Sequence, residues 1–115
     1  MANLIRVVLV EAGNNEIRVI NSWEDTLDNV QRFVGGFVQA IRVNSSITLW
    51  LNEEGKQQGL EPNFYLVKED GKPYDMVVGN VLIAGTDDEG DSASLTDEEI
   101  KELQERFLNR GTFKL

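Results

Sequence analysis

Neither cysteine nor histidine occurs in these 115 residues. Without them there are no disulfides, thiolate nucleophiles, Ser-His-Asp triads or zinc sites of the usual Cys/His kind. Catalysis would have to rest on carboxylates, lysines, tyrosines and main-chain groups. No apolar run approaches the roughly 18 residues a membrane span requires. The opening MANLIRVVLVEAG has no basic leader, and Arg6 and Glu11 interrupt its apolar part, so neither a signal peptide nor an anchor is expected. Bases are also short, 11 against 20 acids, for a formal net charge of −9. Phosphate backbones are held by Lys and Arg, so direct nucleic-acid binding is not expected either. A basic protein surface is the better electrostatic complement.

What is present is enough for one globular domain. Residues 1–115 are 41% apolar and 27% charged, which suits a soluble chain with a single core and no cofactor. The charge is local. Thr86–Glu105 holds nine acids against one base, Lys101, and so carries −8 of the −9.

Periodicity gives the elements. NLIRVVLVEA (Asn3–Ala12) reads as a strand buried on both faces, and Gly13-Asn14-Asn15 turns it into an alternating strand, EIRVIN. Trp23, Leu27, Val30 and Val34 then fall on one helical stripe, with Ser22 as cap, Glu24 and Asp25 in the first turn, and Gly35-Gly36 as the stop. FVQAIRV and ITLWLN make a second hairpin that places Ile47, Leu49 and Leu51 opposite Thr48, Trp50 and Asn52. FYLV is a short strand, Val81–Ala84 a last one, and 85–95 an acidic loop. The C-terminal helix, 96–109, carries the Thr96/Glu99 capping box, a Leu95–Ile100 staple, a stripe of Ile100, Leu103 and Phe107, and Asn109-Arg110-Gly111 as its end. The sum is α+β: one mostly antiparallel sheet with two helices packed on it.

Several motifs fail on inspection. Asp87, Glu89, Asp91 and Glu98 match positions 1, 3, 5 and 12 of a calcium loop, but Ser92 stands where the turn needs glycine and no helix precedes it. Gly55-Lys56 lacks the earlier glycine of a phosphate loop, and no Ser or Thr follows. Glu53, Glu54 and Asp75 offer carboxylates without a reason for one to be selectively perturbed. No metal, cofactor or catalytic residue is expected. Two features remain. Trp50 is either core between two covering helices or an aromatic platform at a binding surface. The turn-rich NEEGKQQGLEPN (Asn52–Asn63) is either an irregular connection tied by Asn52 and Asn63 or a loop presenting Glu53, Glu54, Lys56 and Asn63 to a ligand.

The stretches VVLVEAG, VGGFVQAI, NEEGKQQGLEPN, VVGNVLIAG and SLTDEE occur in order, and in them the chain resembles a family of small domains of unknown function. Members are encoded by bacteriophages, plasmids and conjugative elements of bacteria. The chain departs from their pattern at Glu61, where the proline is often doubled, and at Phe64, where a basic residue is common. The resemblance implies no activity and no catalytic residues. Together with the missing catalytic equipment and the concentrated acidic segment, it points to a non-enzymatic accessory protein in the cytoplasm of a bacterial host, binding a host protein such as a defence component. Asp87, Asp88, Glu89 and Asp91 are then either the acidic partner surface or a solvated loop that carries charge cheaply in salt. The alternative expectation is a small-molecule domain for a nucleotide, with Trp50 stacking on the base and Lys56 on the phosphate. Enclosing such a ligand would take an assembly of two or more chains.

Overall fold

The Leu, Ile and Val run near the start of the chain forms β1 (Asn3–Val10), and from Val7 to Val10 both its faces are covered. The computed structural model describes residues 3–115, so the first two residues of the leader reading fall outside it. After β1 come β2 (Arg18–Asp25), α1 (Leu27–Val34), β3 (Val38–Arg42), β4 (Ile47–Asn52) and β5 (Pro62–Val67). Then follow β6 (Pro73–Val78), β7 (Val81–Thr86), β8 (Ser92–Ala93), α2 (Asp97–Arg106) and β9 (Thr112–Lys114).

Two sheets form where one was expected. The first has the order β2-β1-β7-β4-β3, antiparallel throughout, with β8 paired to the far end of β7. The second, β6-β5-β9, has one parallel pair, Tyr65 to Val67 against Thr112 to Lys114. The α+β class and the mostly antiparallel character hold. No helix among the described residues is long and apolar enough to cross a membrane.

The period of two along a strand sorts side chains to opposite faces, and here each face has its own core. Val8, Val10, Ile47, Leu49 and Ile83 meet Phe64, Leu66 and Phe113 of the second sheet, closed by Ile100 and Leu103 of α2. Val7, Leu9, Leu82 and Ala84 meet Val30 and Val34 of α1 on the other side. The two helices therefore lie on opposite faces of the first sheet. Phe107 and Phe113 stand 4.9 Å apart, centroid to centroid and near edge-on, an arrangement aromatic pairs favour.

The boundaries correct several expectations. Trp23, Glu24 and Asp25 belong to β2, because the ladder with β1 continues to Asn3↔Asp25 and claims their backbone. Thr26, not Ser22, caps α1, its hydroxyl accepting the Asn29 amide at 3.1 Å. Leu27 of the expected stripe is 63% exposed. Gly35 does take the left-handed stop, with φ 88°. β6 is not expected from sequence: proline at its first residue, followed by polar Tyr74 and Asp75, reads as turn, yet an edge strand tolerates both. Nor are β8 and β9, which are too short for a period to show. The capping box of α2 is present in both directions, Thr96 with Glu99. The helix ends at Arg106 rather than at 109, and Asn109-Arg110-Gly111 turns the chain into β9.

Candidate functional site

The Asn52–Asn63 connection is built from the inside. Asn52 is 3% exposed. Its amide donates to the Val34 carbonyl at the end of α1 and to Gln58 Oε1, each at 3.2 Å, and its Oδ1 accepts the Glu54 amide at 2.8 Å. A turn follows in which the Gln58 amide donates to the Glu54 carbonyl and the Leu60 amide to the Gly55 carbonyl. Gly55 is buried, and a Cβ there would lie 2.9 Å from Val78, so the glycine is a packing requirement.

Asn63 does the same at the other end. Its amide donates to the Val10 carbonyl at 2.8 Å and to the Gly79 carbonyl at 2.7 Å, tying β1 of one sheet to the turn after β6 of the other. Its Oδ1 accepts from Arg110 Nη2 at 2.7 Å, and the same nitrogen reaches the Glu11 carbonyl at 2.7 Å. Burial pulls the Arg110 guanidinium below its ordinary value, though an arginine keeps its charge. Of the two readings of the connection, the structural one accounts for Asn52 and Asn63: all their amide groups are committed within the fold. Phe64, which follows, is 1% exposed and belongs to the core. Arg110, read from sequence only as part of a helix stop, is a latch between the layers; its long reach leaves no local pattern.

Glu53, Glu54 and Lys56 line a groove of about 350 Å³ between β3 and β6, with Gln39 and Ile41 on one wall and Asp75 and Met76 on the other. Lys56 Nζ stands 2.5 Å from Asp75 Oδ1, and this hydrogen bond holds the Asp75 carboxyl below the usual carboxylate range. Asp75 also takes the Met76 amide at 2.8 Å, which occupies a donor on the edge strand β6. The one base in the groove is thus paired, and two further carboxylates stand beside it.

Trp50 is elsewhere. Across the ladder it faces Ala40 and Leu82, on the α1 side of the first sheet, whereas Leu51 and the groove lie on the opposite side. It is half-buried, packed on the α1-side core along one part and open along the rest. Together with Leu27, Val30, Val38 and Leu82 it walls a cavity of about 190 Å³, to which Asp25 and Ser92 add the polar groups. The structure does not bring Trp50 and Lys56 into one site, as a stacked and phosphate-anchored nucleotide would need. Burial raises the Asp25 carboxyl above its ordinary value. Sequence places Asp25 in a helix's first turn, and only the strand ladder turns it toward the cavity.

Asp87, Asp88, Glu89 and Asp91 form the exposed loop between β7 and β8. Asp87 Oδ1 accepts the amides of Glu89 and Asp91 at 2.9 Å each, and the Asp87 amide donates to the Asp91 carbonyl at 2.9 Å. Gly90 takes φ 85°, which closes the turn. The loop is a defined turn that holds its other carboxylates outward.

The family described as a domain of unknown function, DUF3846, matches residues 5–108. The chain belongs to that family. The match runs from β1 through the end of α2, so the DUF3846 domain includes the first sheet, both helices, β5 and β6. No curated protein and no solved structure matches the chain.

Proposed function

We propose that this DUF3846 domain is a non-enzymatic accessory protein of a bacteriophage or other mobile element, which docks on a basic surface of a host protein in the bacterial cytoplasm. A component of a defence system is the partner class in view. The observation that carries the reading is the 87–91 turn: four carboxylates, three of them turned outward, on a loop closed by its own hydrogen bonds. Charge held in place costs little further ordering on association and steers a partner of opposite sign. The nearby acids of α2 are more engaged, Glu99 in the cap, Asp97 with Arg6 and Glu102 with Arg106.

Affinity capture from cells expressing the domain should return one stoichiometric partner. Changing Asp87, Asp88 and Asp91 to Asn and Glu89 to Gln should slow association about tenfold at low salt and flatten its salt dependence. The Asp87→Asn change keeps a side-chain acceptor for the two amides, so the turn survives. An on-rate unchanged across salt would refute steering, and capture of background proteins alone at low salt would refute docking.

A further inference from the structure

The cavity beside Trp50 is not used by the docking reading, and its chemistry is more selective than that of the groove. Its wall is apolar, its charged lining group is the Asp25 carboxylate, and no lysine or arginine lines it. Among the described residues no donor bonds that carboxylate, and partial burial without a partner raises its pKa. Anions are disfavoured there.

We infer that this cavity is a binding site for an alkylammonium group, with Asp25 as counter-ion and the Trp50 ring and Leu82 against the alkyl chain. Size supports the assignment. About 190 Å³ is the share of roughly six water molecules, close to a four-carbon stem with its ammonium head. A dinucleotide does not fit. The indole adds an electron-rich face to which a cation is attracted. The group could be supplied by a free small amine or by a lysine side chain, and the two share all of this chemistry.

The test uses the whole domain, labelled with nitrogen-15, and follows the Trp50 indole N–H, assigned by comparison with Trp50→Phe. The probes are n-butylammonium chloride, n-butanol, sodium butyrate and the peptide acetyl-Gly-Lys-Gly-amide, at constant ionic strength. Butylammonium should give a saturable shift in the millimolar range. Butanol and butyrate should bind at least about fivefold more weakly, and Asp25→Asn should lose the preference for the cation by a similar factor. The peptide arm separates the sources: matching affinity identifies a partner's lysine, and a silent peptide with bound butylammonium identifies a free amine. Butanol binding as well as butylammonium, no saturation, or an unchanged preference in Asp25→Asn would each overturn the assignment. Because the probe needs no host protein, the outcome is independent of whether the acidic turn steers one.

Discussion

Replacing Asn63 by alanine should destabilise the domain by about 3–5 kcal/mol. The change removes two donations, to Val10 at 2.8 Å and Gly79 at 2.7 Å, and one acceptance from Arg110 at 2.7 Å. A neutral bond of this kind contributes about 1 kcal/mol and one to a charged group about 1.5–3. The loss is large against a total of about 5–15 kcal/mol for a domain. At roughly 4 °C per kcal/mol for this size, the melting temperature should fall by about 12–20 °C. Asn63→Asp is the sharper variant: it keeps the acceptor for Arg110 but turns an oxygen toward two carbonyls, and should be no more stable than the alanine. Thermal and urea unfolding followed by circular dichroism measure both. A loss below about 1 kcal/mol in Asn63→Ala would refute the latch and return Asn63 to the pool of ligand-binding residues.

Gly85→Ala would place a Cβ 2.9 Å from the carbonyl oxygens of Ala93 and Ser94, both main chain; a cost of about 1–3 kcal/mol, read from the urea midpoint, is expected, with the β7–β8 pairing lost first. Thr96→Ala should cost about 1 kcal/mol by opening the capping box, and Thr96→Ser should restore most of it, both read by thermal unfolding. Asp25 has its pKa raised from 3.8 by burial, so folding disfavours its charged form. That penalty is absent below the unfolded value and grows as pH rises through the folded one, so Asp25→Asn should be the more stable protein at pH 7, with the difference vanishing in acid unfolding scans below about pH 3.8. Deleting residues from Leu95 onward removes Ile100, Leu103 and Phe113 from the core; the product should sediment as aggregate, and a soluble one with an unchanged melting temperature would refute the packing described.

Long periodic segments carried the fold class. β1, the β3–β4 hairpin and α2 were legible because burial repeats often enough along each of them, and the Thr96/Glu99 box marks a helix start with local chemistry. The second sheet was hidden for a different reason. β6 opens with proline and alternates weakly because it is an edge, and β9 is three residues whose partner lies far away in sequence. Trp23 misled by fitting a helical stripe: an aromatic at one spacing satisfies two periods, and the pairing with β1 decided between them. Of the candidate site residues, the acidic turn stands where composition placed it. Asn52 and Asn63 are recognisable as special from sequence, but whether their amides face main chain or solvent depends on contacts with Val34, Val10 and Gly79, none of which is near them in the chain. Asp25 and Arg110 were invisible for the same reason.

The parallel pairing of β5 with β9 has a consequence for synthesis. Residues 3–93 contain the whole first sheet, yet Phe64, Leu66 and one face of that sheet wait for Phe113 and for α2 to arrive. Synthesis runs from the N-terminus at roughly 5–20 residues per second, so α2 and β9 follow every strand of the first sheet. Until those elements dock, a half-covered sheet with an open β5 edge is exposed, so the domain's most vulnerable moment is a late one. A delay in docking α2 and β9 lengthens that exposure without altering a single residue of the finished protein.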